Sequence, residues 1–245
     1  MLPRFLVPDL DLRRPDVLLP EEEAHHLTRV LRLGAGDHVA VFDGRGAEFR
    51  ARVASVYRDT VTLTLIERVT PARLPSVPLT LVQAVLKADA MDDVIRDCTM
   101  IGVEAILTVV SDRTTVKSTV MSKAAERWRR IAMASAKQCG RARLPEIREP
   151  VPFEDWVRQA GGRDAFLLVE PSAGVSGVVT IKELAARPAP RKAALVVGPE
   201  GGWAADERAL ALDAGCTPLS LGPLTLRADA VALAASAALL AIWDE

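Results

Sequence analysis

The hydrophobic and polar positions of this chain follow two rhythms, separated by a stretch punctuated by Pro71, Pro75 and Pro78. Ahead of it, short apolar runs alternate with polar positions and predict strands over residues 38–42, 47–56 and 60–69. Asp43-Gly44-Arg45-Gly46 supplies a glycine-rich hairpin turn between the first two, and Tyr57-Arg58-Asp59 separates the second from the third. The exception is a helix predicted over residues 21–32, with an acidic start and a basic end that both suit the helix macrodipole. Gly34-Ala35-Gly36-Asp37 closes it. This is the pattern of a small β-barrel domain over residues 1–72. Past the prolines, strand candidates at 79–85, 105–110, 165–169, 193–197 and 217–221 alternate with helical candidates at 88–101, 122–139, 204–214 and 228–243. Alternation of that kind predicts an α/β domain over residues 78–245, a mostly parallel sheet covered by helices on both faces.

Within the second domain one stretch organises the rest: Leu195-Val196-Val197-Gly198-Pro199-Glu200-Gly201-Gly202-Trp203. A run of strand character stops at a turn of three glycines and a proline, and a polar helix start follows. Glycine has no Cβ, so Gly201 and Gly202 can take positive φ and let backbone approach a ligand closely. The N–H groups at the helix start have no intrahelical partner and suit a polar ligand. Leu219-Ser220-Leu221-Gly222-Pro223-Leu224-Thr225-Leu226-Arg227-Ala228-Asp229 repeats the layout, strand through Gly-Pro to a long helix. Two such loops after neighbouring parallel strands would lie side by side at the carboxyl edge of a sheet, the usual ligand crevice of α/β folds. Two ordinary strand-to-helix turns would have the same composition.

Composition narrows the classes. With 245 residues, 49% of them hydrophobic, the chain supports a large core and wholesale disorder is not expected. The longest apolar stretch, residues 230–243, is alanine-rich, broken by Ser236 and shorter than a membrane span. Met1-Leu2-Pro3-Arg4-Phe5 has no charged segment followed by an apolar one, so a soluble cytoplasmic protein is expected, with no membrane partner. Cys98, Cys139 and Cys216 are odd in number and far apart, which argues against a disulfide framework and a zinc site. His25 and His26 are adjacent and diverge on a helix, so no metal is expected. A net charge of −1 makes no global case for nucleic acid, which leaves local patches. Arg29 and Arg32, with Arg4, form one; another runs from Arg127, Arg129 and Arg130 through Lys137, Arg141 and Arg143 to Arg148. Such clusters neutralise phosphates even in a protein without net positive charge, although a solvated helix face explains any single arginine as well. Arg141 and Arg143 stand apart because Gln138-Cys139-Gly140-Arg141-Ala142-Arg143-Leu144-Pro145 leaves a helix into a bounded loop, a better contact candidate than a helix face.

Taken together these pieces resemble one family, the RsmE-type 16S ribosomal RNA (uracil-N3) methyltransferases of the SPOUT class. The matching residues are His26-Leu27-Thr28-Arg29-Val30-Leu31-Arg32-Leu33 and Phe42-Asp43-Gly44 in the small domain. In the large domain they are Ile101-Gly102-Val103, Gln138-Cys139-Gly140-Arg141, Pro145-Glu146-Ile147, Gly198-Pro199-Glu200-Gly201-Gly202 and Leu221-Gly222-Pro223. They run in order along nearly the whole chain, and the three loop motifs at these spacings are highly specific. The resemblance implies a PUA-like RNA-binding barrel followed by a methyltransferase domain with a C-terminal trefoil knot. It also implies a homodimer and S-adenosylmethionine as cofactor. By position, Val197, Gly198, Pro199, Glu200, Gly201 and Gly202 with Leu221, Gly222 and Pro223 would hold the cofactor, and Leu226 would line its adenine side. Arg227 and Asp229 would be catalytic, and Arg4, Arg29, Arg32, Arg141 and Arg143 would bind 16S ribosomal RNA in the small subunit. The chain departs from the family pattern at Asp97, Met100, Leu224 and Asp229. These departures keep two alternatives in view, a SPOUT methyltransferase with a different RNA target and a catalytically silent RNA-binding ribosome-assembly protein.

Overall fold

The computed structural model describes residues 2–11, 13–116, 118–160, 162 and 164–244, without the side chains of 118–123 and 160. The chain divides into two compact units, one of residues 1–73 with 133–144 and one of residues 74–132 with 145–245.

The first unit opens with β1 (Arg4–Leu6), β2 (Asp16–Leu18) and the one-turn helix α1 (Glu21–His25), and continues through β3 (His38–Phe42), β4 (Glu48–Tyr57) and β5 (Thr60–Val69). The five strands form a sheet in the order β1-β3-β4-β5-β2, in which only the β1–β3 pair is parallel. Phe5, Val39, Val41, Ala51, Val53, Val61 and Leu63 turn inward with Leu27 to make the core. The hairpin at Asp43 is held by its own carboxylate, which accepts the N–H groups of Arg45, Gly46 and Ala47 at 2.8, 3.0 and 2.9 Å. The helix expected over residues 21–32 does not run through. After His25 it widens into a π-helical turn (His26–Val30), and Arg32 takes a φ of +55°.

Residues 133–144, which the pattern assigns to the larger domain, belong to this first unit. The reason is a buried clasp. Arg4 donates to both carboxylate oxygens of Glu48 at 2.9 and 2.8 Å, and to the carbonyls of Ala136, Lys137 and Arg141 at 2.6, 3.3 and 3.1 Å. Its guanidinium also lies 4.6 Å from the Phe42 ring centre. Lys137 pairs with Glu23, and Leu144 donates its N–H to the Gly44 carbonyl at 2.9 Å.

The second unit carries β6 (Leu79–Ala84), α2 (Asp89–Met100), β7 (Ala105–Val110), α3 (Ser118–Cys139), β8 (Glu146–Ile147), β9 (Val151–Pro152) and α4 (Phe153–Ala160). Then follow β10 (Ala165–Leu168), β11 (Val179–Thr180), α5 (Ile181–Ala185), β12 (Ala193–Val197), α6 (Ala205–Asp213), β13 (Thr217–Ser220) and α7 (Ala228–Trp243). The end of α3 lies in the first unit. The sheet is parallel throughout, in the order β11-β13-β10-β12-β6-β7-β8, with β9 beside β7. Both faces are covered, as the continuous apolar strands require. Along β12, Leu195 and Val197 enter a core with Leu81, Ile95 and Leu239, whereas Val196 enters the opposite core with Val82, Leu167 and Trp203. Among the described residues no helix is long and apolar enough to cross a membrane, and no group of side chains could hold a metal ion.

Candidate active site

The two Gly-Pro loops leave β12 and β13, but these strands are not neighbours. β10 lies between them, paired in parallel with each. The expectation of adjacent strands is corrected accordingly: a third loop, residues 169–173, sits between the other two at the same carboxyl edge. The three loops, with Leu86, Ala90 and Arg113, surround a cavity of about 650 Å³, within the range that takes a drug-sized ligand.

Of the residues named from the sequence, Val197, Gly198, Pro199, Glu200, Gly202, Leu221, Gly222, Leu226, Arg227 and Asp229 line this cavity, whereas Gly201 and Pro223 do not. The first loop is held from several sides. The Gly202 N–H bonds the Pro199 carbonyl at 2.9 Å and closes a four-residue turn, with Gly202 at a φ of +67°. The Glu200 carboxylate accepts the Lys87 N–H at 3.1 Å, tying the loop to the start of α2, where Ala88 bends at a φ of +47°. Glu200 therefore uses one oxygen as a strut. The Gly201 carbonyl accepts from Arg113 at 2.6 Å, and Gln83 reaches the Gly198 carbonyl at 3.4 Å. Trp203 anchors the far end, its ring stacked 4.3 Å from that of Phe153. Glu207 accepts the N–H groups of Ala204 and Asp112, at 3.0 and 2.9 Å, and so caps α6. A Cβ on Gly198 would meet the Trp203 ring at 3.2 Å, so any larger residue would have to push the ring aside.

In the second loop Gly222 has a φ of +147°, and no atom lies within 4 Å of where its Cβ would stand. Gly222 itself lines the cavity. Arg227 and Asp229 face each other across the start of α7: Nε and Nη2 of the arginine donate to the two carboxylate oxygens at 3.1 Å each. The arginine side chain remains 81% exposed and the carboxylate 22%. Leu224 and Leu226 stand at the rim, 76% and 44% exposed. Of the positions that depart from the family pattern, Asp97 pairs with Arg96 on the outer face of α2 and Met100 lies at its end, and neither lines the cavity.

Two of the arginines expected to bind RNA are internal. Arg4 is 7% exposed and is consumed by its clasp, and Arg141 is 2% exposed and donates to the Arg143 carbonyl at 2.5 Å. Neither guanidinium reaches a phosphate outside the fold, so their expected RNA contacts are corrected to structural roles. Arg29, Arg32 and Arg143 are exposed on the first unit. Sequence reasoning missed Glu170, Arg113 and Arg208, all of which line the cavity. The signal for Glu170 was slight, a Glu-Pro pair closing a strand without any glycine.

Comparison with known proteins gives consistent results. A model of an RNA methyltransferase domain matches residues 73–240, and one of an RNA methyltransferase PUA domain matches residues 19–66. Ribosomal RNA small subunit methyltransferase E of Synechocystis is 33% identical over 97% of this chain and 78% of its own length. A Legionella pneumophila methyltransferase solved with its cofactor SAM superposes with a TM-score of 0.89 at 30% identity, covering 98% of each chain. Ribosomal RNA small subunit methyltransferase E of Neisseria gonorrhoeae, solved with S-adenosylmethionine, has a TM-score of 0.89 at 26% identity, over 99% of this chain and 98% of that one.

Proposed function

This chain belongs to the RNA methyltransferase family that includes ribosomal RNA small subunit methyltransferase E, and from that premise we propose that it methylates N3 of a uridine in 16S ribosomal RNA. The observation that carries the reading is the cavity at the carboxyl ends of β10, β12 and β13, with Arg227 and Asp229 at its rim. The residues present fit S-adenosylmethionine. Leu86, Leu168, Val197, Leu221 and Val231 offer apolar walls to an adenine, open space lies beside Gly222, and charged side chains line the same cavity to meet a zwitterionic tail. When bound, the cofactor supplies an electrophilic methyl group on a sulfonium.

The chain's own residues supply the rest. N3 gives its imide proton to solvent at the exposed rim and must approach the methyl in line, so positioning and stabilisation of the uracil anion carry the rate. Arg227, exposed at the rim, donates to a uracil carbonyl or a neighbouring phosphate. Asp229 holds the guanidinium by two hydrogen bonds, which makes it a positioning residue for Arg227. N3 lies on the Watson–Crick edge, so the base reacts unpaired or flipped out. Arg29, Arg32 and Arg143 contact RNA phosphates outside the pairing edge. The same reading carries a knotted C-terminal domain, a homodimer and a cytoplasmic location. Light scattering tests the dimer by its mass.

Isothermal titration with S-adenosylmethionine, followed by transfer of labelled methyl groups to small subunits that lack their own N3 methylation, tests the activity. Binding with new N3-methyluridine is expected. Binding with no transfer to any RNA would favour a silent RNA-binding protein, and absence of binding would remove the cofactor reading.

A further inference from the structure

Three carboxylates line the cavity: Glu170, Glu200 and Asp229. Two are engaged. Glu200 takes the Lys87 N–H, and Asp229 takes two nitrogens of Arg227. The Glu170 carbonyl takes the Ala173 N–H at 3.0 Å, but its carboxylate makes no hydrogen bond or ion pair among the described residues.

The fold places it deliberately. β10 is the strand between the two Gly-Pro strands, and Glu170 stands just past its end, before Pro171 opens a short 3-10 turn (Pro171–Ala173). Its Oε1 lies 2.6 Å from where a Cβ on Gly202 would stand. Glycine at 202, already at a φ of +67°, therefore leaves the room in which this carboxylate sits. The same cavity is lined by the apolar Leu168, Val169 and Val197 and by the cationic Arg113 and Arg208. Glu170 is an exposed residue, yet its carboxylate lines a concave site, and a negative charge without a partner among the described residues attracts a cation more strongly there than on an open surface.

We propose that Glu170 is the cation-recognising group of the cavity and reads a positive charge on the bound cofactor. The proposal rests on the S-adenosylmethionine reading above. That cofactor carries two positive charges, a sulfonium and an α-ammonium, and Glu170 faces one of them. The engaged carboxylates contribute less, because their charge is already shared with a donor of the protein.

The test is isothermal titration of wild type and Glu170→Gln with S-adenosylmethionine, S-adenosylhomocysteine and 5′-methylthioadenosine. The second ligand lacks the sulfonium charge, and the third lacks both charges. A partly exposed charge pair predicts about a fivefold loss for S-adenosylmethionine in Glu170→Gln. Methylthioadenosine should change by less than about twofold, since no charge is lost. A parallel loss for S-adenosylhomocysteine assigns the contact to the ammonium, and an unchanged value assigns it to the sulfonium. Raising the salt concentration should weaken wild-type binding of S-adenosylmethionine and leave methylthioadenosine unaffected. Equal losses for all three ligands, or none for S-adenosylmethionine, would overturn the proposal while the cofactor reading stands. A wild type that binds none of them would sink the cofactor reading and the proposal with it.

Discussion

Replacing Arg4 with methionine should strongly destabilise the first unit. The guanidinium and the Glu48 carboxylate are 4% and 10% exposed, and they meet in a two-point ion pair. Arg4→Met leaves Glu48 buried and uncompensated, and breaking a buried pair from one side costs about 3–5 kcal/mol. It also takes the charged donor from the carbonyls of Ala136, Lys137 and Arg141, and the cation from the face of Phe42. A loss of that size is a large fraction of the ~5–15 kcal/mol that holds a domain together. For a unit of this size the melting temperature falls about 4–8 °C per kcal/mol, so a drop of at least ~10 °C is expected. Hydrogen exchange resolves the effect by element: amides of β3 and β4 should lose protection, whereas those of β6 and β12 should not. The double variant Arg4→Met/Glu48→Leu should recover most of the loss, because it removes both buried charges together. If Arg4→Met melts within about 2 °C of wild type, with unchanged exchange in β3 and β4, the clasp is not structural and the argument fails.

Arg227→Ala should leave the affinity for S-adenosylmethionine within about threefold and lower methyl transfer on the order of a hundredfold, with Asp229→Asn intermediate. Equal turnover in single-turnover assays would remove Arg227 from the chemistry. Gly102→Ala should destabilise the second unit by about 2–4 kcal/mol, since its φ is +98° and the new Cβ would stand 2.6 Å from Cδ of Pro75. An unchanged denaturant midpoint would contradict this. Burial pushes the Cys98 thiol up from its ordinary 9.0 to about 12. Below pH 9 both folded and unfolded thiols are protonated, so this residue adds no pH dependence there. Between about pH 9 and 12 only the unfolded thiol ionises, and stability should fall as the pH rises. A urea midpoint in Cys98→Ala that declines as steeply as wild type over that window would refute it.

Much of this fold can be read from the pattern of apolar residues, for reasons visible in single elements. β12 and β7 are buried on both faces, so their runs are unbroken and their ends fall where Gly198 and Ser111 stop them. α7 begins where Arg227 leaves the loop and ends at Trp243, and its small apolar residues declare it. Short strands were lost: β8, β9 and β11 are two residues each, and pairing alone defines them. The order of the sheet was also out of reach, since nothing local says that β10 enters between β12 and β13. That insertion brings Glu170 into the cavity. Arg4 misled for a different reason. An arginine is usually outside, and its burial depends on Glu48 and on carbonyls more than 130 positions away, at Ala136, Lys137 and Arg141. The glycines of the first loop were legible as glycines. What each one admits, the Trp203 ring at Gly198 and a carboxylate at Gly202, needed coordinates.

The most direct measurement is nucleoside mass spectrometry of 16S ribosomal RNA from cells lacking this gene, complemented with wild type or with Arg227→Ala. N3-methyluridine should disappear in the deletion, return with wild type and stay absent with the variant. An unchanged N3-methyluridine level in the deletion would contradict the assignment of this chain to that reaction.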